Sequence, residues 1–358
     1  MRWLAILLLA LQLFVRAAAA EDAEQGADQL KRVGEEPLAV TLLKEGSEDI
    51  EFSEERTPIP QTLRASEIQW ILRSDAPPAL VRAVDFMDRG AWLRAFQELA
   101  GAKKAGAKTK EGWLDVHLAY YLPLCTYHIA EEDEKNRSKA AESAIKGFAE
   151  FIEKNQASWL ARRAYFYQGR ALLLQGKFKE AEDSFKALGQ SKDAGYQSLG
   201  RYGLALTRRA QKQTDAAMSE LAGLLAGRNP PAEAVALAMQ ILLEEKKDYK
   251  EAAALADKLK GSRDRSLLQR AYELSGCAAF YMGRHREALE DLLRADLLYS
   301  SASMPASERV VLCTALAIKG LTLKAPKEYQ EWEYQPLLQK YVQRLPPAQR
   351  QAVAAFKP

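Results

Sequence analysis

A chain of 358 residues, 48% hydrophobic and 28% charged with a mean hydropathy of -0.31, has the make-up of a soluble globular protein and the length for more than one small domain. Its 51 lysines and arginines against 48 acidic residues leave a formal charge of +3, too little for the basic footprint of a nucleic-acid-binding surface. Three cysteines cannot all pair within one molecule, and the settings LPLCTYH, LSGCAAF and VVLCTAL around Cys125, Cys277 and Cys313 read as buried thiols on apolar helices rather than a disulfide framework.

At the amino end, Met1 and Arg2 precede an apolar run from Trp3 to Val15, after which Arg16 and Ala17 to Ala20 lead into Glu21 and Asp22. This order predicts a secretory signal peptide over 1–20, cleaved after Ala20. The apolar run falls short of the roughly 20 residues that a membrane-spanning helix needs, so no stable membrane insertion is expected after cleavage. The mature chain is expected in the periplasm or cell envelope, or secreted.

Residues 21–36 are polar and carry no periodic apolar face, which predicts a flexible lead-in. From 37 to 74 the pattern changes. Leu38, Val40 and Leu42 alternate with other residues, as do Ile50 and Phe52, and Ile68, Trp70 and Leu72, with turn chemistry at Glu45-Gly46-Ser47 and Thr57-Pro58-Ile59-Pro60. The expectation is a small antiparallel module of three to five strands that leans on the first helices or on another chain. Through Glu67, Ile68, Trp70 and Ile71 it resembles the small strand modules that precede helical repeats in some exported bacterial proteins.

At Asp75-Ala76-Pro77-Pro78 a helix start signal appears, and 75–358 reads as helical hairpins. The stretch YFYQGRALLLQGKFKEAEDSFKAL from Tyr165 to Leu188 sets the pattern. Small Gly169 is followed twelve residues on by Ala181 and four later by Phe185, with Gly176 and Phe178 at the turn between two helices. Ala83, Gly90, Trp92, Ala95 and Leu99 repeat it. After Gly169, the equivalent positions Ala205, Gln240 and Gly276 come at intervals of 36, 35 and 36, each followed twelve residues later by Ala217, Ala252 and Ala288. Turn residues vary more: Gly283 and His285 fit, Tyr249 fits, and Thr214 departs. The helices expected over about 111–130 and 137–154 form a degenerate hairpin of open register, carrying Ala144, Phe148 and Phe151. The stretch from Glu308 to Leu345 reads as a hairpin without the small residues, and 346–356 as a short capping helix.

This layout resembles the tetratricopeptide (TPR) repeat family, whose usual period is about 34 residues. The resemblance implies a mainly α fold, a right-handed α-solenoid of TPR-like helix hairpins preceded by the small antiparallel β module. It also implies a groove lined by the first helix of each hairpin, at places set by the small crossing residue. Counting from Gly169 these are Phe166, Arg170, Leu173 and Leu174; from Ala205, Tyr202, Leu206, Arg209 and Ala210; from Gly276, Glu273, Cys277, Phe280 and Tyr281. The partner-binding candidates are therefore Phe166, Arg170, Tyr202, Arg209, Glu273, Phe280 and Tyr281. Such a mixture suits an extended peptide or an acidic helix, because aromatic faces supply desolvated area and guanidinium forks pair with carboxylates. The aromatics are equally placed to be hairpin core, and both readings stand at this point. The lysine and asparagine clamp that the chaperone-binding TPR subgroup closes on a terminal carboxylate is not present at these places.

Catalytic and metal chemistry find little footing. His117 and His128 lie on one expected helix but roughly 16 Å apart at about 1.5 Å per residue, too far to share a metal. His285 stands where the family has a packing aromatic. The acidic run Glu131 to Glu134 lacks the spacing and glycine of a calcium loop. No phosphate-cradling loop or nucleophile elbow is present. Cys277 and Cys313, at equivalent places on successive hairpins, are expected roughly 10 Å apart and unbonded. The sequence thus predicts an exported, non-enzymatic scaffold without cofactor or metal that binds a protein or peptide partner, with an envelope enzyme or glycan-handling protein, or an oligomerising spacer, as alternatives.

Overall fold

The computed structural model describes residues 27–54, 57–104, 112–227, 230–262, 265–300, 305–324 and 334–357. The expected signal peptide and residues 21–26 lie outside them, as do parts of the links at 101–110 and 300–307.

Five strands open the chain: β1 (Asp28–Arg32), β2 (Leu38–Glu45), β3 (Asp49–Glu54), β4 (Thr57–Arg64) and β5 (Ile68–Leu72). They form one antiparallel sheet in the order β4-β3-β2-β1-β5. In β3 the alternation is plain, since Ile50 and Phe52 are buried while Asp49 and Glu51 are not. The expected lead-in over 21–36 is corrected by β1, which lies inside the sheet between β2 and β5. Its sequence DQLKR has a single apolar residue, Leu30, which is fully buried; one such residue gives no alternation to read.

The chain packs as two compact units divided between Ala210 and Gln211. In the first, the sheet is followed by α1 (Pro78–Asp88), α2 (Trp92–Lys104), α3 (Trp113–Glu132), α4 (Arg137–Lys154), α5 (Ala161–Leu174), α6 (Phe178–Gly189) and α7 (Ala194–Ala210). Sheet residues Leu30, Ile50, Phe52 and Ile71 share one core with Leu80, Leu99, Tyr120, Phe148 and Phe185 of the helices. The change at 74/75 therefore separates two kinds of structure within one compact unit. Glu48, at the turn between β2 and β3, binds it together. Its carboxylate accepts from Arg162 Nη2 at 2.9 Å, from the Ser191 hydroxyl, and from the Asp193 amide at 3.2 Å. Asp193 in turn accepts from the amides of Ser66 and Gly195 at 3.1 and 2.7 Å, and Arg163 donates to the Gln69 carbonyl at 2.9 Å. The strand module thus leans on its own chain's helices.

The second unit contains α8 (Thr214–Leu225), α9 (Ala232–Ile241), α10 (Tyr249–Leu259), α11 (Arg265–Tyr281), α12 (His285–Leu293), α13 (Glu308–Lys324), α14 (Gln335–Gln343) and α15 (Pro347–Ala355). Two π turns, Leu242–Lys246 after α9 and Arg294–Leu298 after α12, continue those helices by one wider turn each. Phe356, just after α15, packs on Phe280 at 5.8 Å and on His285 at 6.3 Å between ring centroids.

Both units carry the hairpin signature. Ala83, Ala95, Ala181, Ala217, Ala252 and Ala288 are fully buried. A Cβ built on Gly169 would stand 2.6 Å from the Phe185 ring, and one on Gly276 would stand 2.6 Å from Leu292 Cγ. Left-handed backbone marks the turns at Gly90, Gly176, Lys212, Lys247 and Gly283, each seven residues after the crossing residue. Lys212 makes the turn that Gly176 makes elsewhere, while Thr214 remains a departure where the other hairpins have Phe178, Tyr249 and His285.

Candidate partner-binding face

The seven candidates fall in different units: Phe166, Arg170, Tyr202 and Arg209 in the first, Glu273, Phe280 and Tyr281 in the second. In the first unit α5 and α7 bring three of them together. The Arg170 guanidinium lies 5.8 Å over the Phe166 ring, and Phe166 stacks on Tyr202 at 6.3 Å between centroids. Arg209 is half-buried near the end of α7.

α3 completes the cluster with Tyr127, His128 and Glu131, which the sequence did not place on this face. Arg170 Nη2 donates to Glu131 Oε1 at 2.7 Å, and its guanidinium sits 5.3 Å over Tyr127. The other carboxylate oxygen of Glu131 meets His128 Nδ1 at 3.0 Å, and His128 stacks flat on Trp92 of α2 at 3.7 Å. Burial alone would raise the Glu131 carboxyl, but the His128 hydrogen bond and the Arg170 charge outweigh it and hold the group below its ordinary value. Glu131 therefore stays ionised and fixes Arg170. An arginine has five N–H donors, so one contact to Glu131 leaves a fork for a second carboxylate.

Burial corrects part of the expected groove. Phe166 is 7% exposed, so it supports Arg170 and Tyr202 from below rather than presenting a free ring. In the second unit Glu273 is 5% exposed, bonded to Arg270 Nη1 at 3.0 Å and to the Ser307 hydroxyl at 3.0 Å, and Phe280 is 9% exposed under Phe356. Both belong to the core, where the first helix of a hairpin is covered by following helices. Tyr281 is half exposed and stacks on Tyr249 at 4.9 Å.

His117 and His128 both lie on α3 in unlike settings. His117 is buried among Trp113, Tyr121 and Trp159, and burial pushes it down to about 4. Cys277 and Cys313 are buried free thiols with Sγ atoms 3.4 Å apart, closer than the expected helix spacing because both side chains point into the gap between α11 and α13. Among the described residues, no group of three or more His, Cys, Asp or Glu is placed to hold a metal ion, and no helix is long and apolar enough to cross a membrane.

The crossing and turn positions define a protein of helical hairpins in the TPR architecture, with a five-stranded sheet at its amino end. No family model and no curated protein matches the chain. Among solved structures it is similar to a tetratricopeptide repeat protein from Parabacteroides merdae ATCC 43184, at 15% identity and a TM-score of 0.40, covering 74% of this chain and 96% of that one. At that score the likeness adds no weight to the geometry described above.

Proposed function

We propose that this chain is a non-enzymatic scaffold that orders a segment of a partner protein on the α3, α5 and α7 face of its first unit, and that it works after export, in assembly or upkeep of an envelope complex. The observation that carries this reading is the fixed Arg170: Glu131, Tyr127 and Phe166 hold its guanidinium in place before any partner arrives. A pre-set cation beside the half-buried Tyr202 lowers the ordering needed on binding. The export step rests on the sequence pattern of residues 1–20. The test is crosslinking and copurification from an envelope extract, comparing wild type with a triple alanine variant of Arg170, Tyr202 and Arg209. Loss of a discrete partner supports the reading; retention of every partner, with the variant folded, sinks it.

A further inference from the structure

α3 carries Pro123 in its interior, where a proline has no N–H to give the Ala119 carbonyl one turn earlier. Gly147 of α4 lies directly against it, since a Cβ there would come within 2.8 Å of Pro123 Cβ. The two helices approach closely at this point. Beside it, α2, α3 and α4 leave a cleft of about 640 Å³. Its floor is apolar, formed by the half-buried Phe96, Ala119 and Leu122 over the buried Leu118 and Pro123. The size lies within the range of ligand sites and fits roughly two or three large side chains.

The rim is cationic. Lys103 and Lys104 end α2, Lys154 ends α4, and all three are exposed and border the cleft, against one carboxylate among the described residues, Glu150. Lysines at helix carboxyl ends ordinarily complement the macrodipole. These differ in converging from two helices on a single open apolar floor.

The cleft is also separate from the face that holds Arg170. Leu118 and Tyr127 are nine residues apart on α3, as are Leu122 and Glu131. At about 100° per residue that is half a revolution, so Leu118 and Leu122 lie on the side of the helix opposite Tyr127 and Glu131.

We infer that this cleft docks a second kind of segment, an acidic amphipathic stretch of a partner protein. Its apolar side chains, at helical spacing, seat on the half-buried Phe96, Ala119 and Leu122, and its carboxylates pair with Lys103, Lys104 and Lys154. The charge balance of the rim selects acidic over neutral or basic occupants, and the floor selects against purely ionic ones. The chain would then hold two partners on opposite sides of α3.

The test is a display selection of random twelve-residue peptides on the full chain, with binders to the K103E/K104E/K154E variant removed. Enriched peptides are expected to carry excess Asp and Glu with Leu, Phe, Trp or Met three or four places apart. A labelled peptide from the pool should lose at least ~10-fold in affinity to the charge-reversed variant and to Leu122→Asp, and keep its affinity for Arg170→Ala. Thermal melts check that each variant folds. Absence of enrichment overturns the proposal, as does retention of affinity by both cleft variants or by a peptide whose apolar positions are all alanine. Binding to phosphatidylglycerol vesicles that the charge reversal abolishes assigns the cleft to a membrane surface instead. A concentration-dependent dimer that the same reversal abolishes assigns it to a second copy of the chain.

Discussion

The ring of Phe185 fills the space that a side chain on Gly169 would need, with Cε1 and Cζ both 2.6 Å from where a Cβ would stand. Phe185 also closes on Gly203 of α7, where the corresponding distance to its Cδ1 is 2.1 Å. One aromatic side chain thus sets the spacing of three successive helices. Gly169→Ala is expected to destabilise the first unit by about 1–3 kcal/mol through overpacking. Gly101→Ala, on α2 with nothing within 4 Å, should instead stabilise by roughly 0.5–1 kcal/mol through helix propensity. Urea denaturation of both variants checks the contrast, and equal effects would contradict it.

Lys212 and Lys247 hold φ of 61° and 55° at turns where the other hairpins have glycine. A residue with a Cβ pays about 1–2 kcal/mol to sit there. Lys212→Gly and Lys247→Gly should therefore raise stability, each by up to about 1 kcal/mol after the added freedom of the unfolded chain is subtracted. A fall in melting temperature for both would show that the lysine side chains hold these turns.

His117 has a folded-state value of about 4 against an ordinary 6.5, mainly because burial disfavours the charged ring. Its folded value is depressed, so the unfolded chain binds the proton first as pH falls. The neutral ring's contribution is full above about pH 6.5 and is lost progressively toward pH 4, a change on the order of 3 kcal/mol. His117→Phe should flatten the pH dependence of unfolding between 6.5 and 4. An unchanged slope would place the acid sensitivity elsewhere.

Cys125 is pushed up to about 12 by burial, and Cys277 is raised by its hydrogen bond to Cys313 and by burial. Thiolate is the reactive form. At pH 7.5 the native chain should leave both thiols unlabelled by iodoacetamide, and the urea-unfolded chain should label them. Mass spectrometry reads the outcome, and rapid native labelling of Cys277 would contradict the buried pair.

Glu48 and Arg162 join the sheet to α5 across a long stretch of chain. Both side chains keep partial water contact, at 25% and 29% exposure, so the ion pair itself is discounted for screening. The amide and hydroxyl that share the carboxylate bring the expected loss for Glu48→Ala to about 1–2 kcal/mol. A double-mutant cycle with Arg162→Ala should give a coupling smaller than that total, and zero total effect would show that the clamp contributes nothing.

The hairpins were legible because their determinants are local. A small residue, a turn and a second small residue recur at fixed spacing, and every alanine named from that spacing is fully buried. The left-handed turns at Lys212 and Lys247 were hidden, since a lysine gives no sign that its backbone takes a glycine conformation. β1 was hidden for a different reason: a five-residue strand with one apolar side chain is specified by its neighbours in the sheet. The candidate face was half legible. Arg170, Phe166 and Tyr202 come together as counted, but Tyr127, His128 and Glu131 sit on a hairpin whose register the sequence left open. Glu273 and Phe280 were misplaced because spacing tells which side of a helix a residue occupies and not what later covers it.

The Glu48 clamp bears on how such a chain can change through descent. Repeat arrays commonly lengthen or shorten by whole hairpins, since each contacts only its neighbours. Here a residue at the tip of the sheet reaches Arg162 at the start of α5 and Ser191 and Asp193 just before α7. Adding or deleting a hairpin between the sheet and α5 would move those partners by a full repeat and release the carboxylate. The first unit therefore has its repeat number fixed by its sheet, and variation in length is expected to concentrate beyond α7.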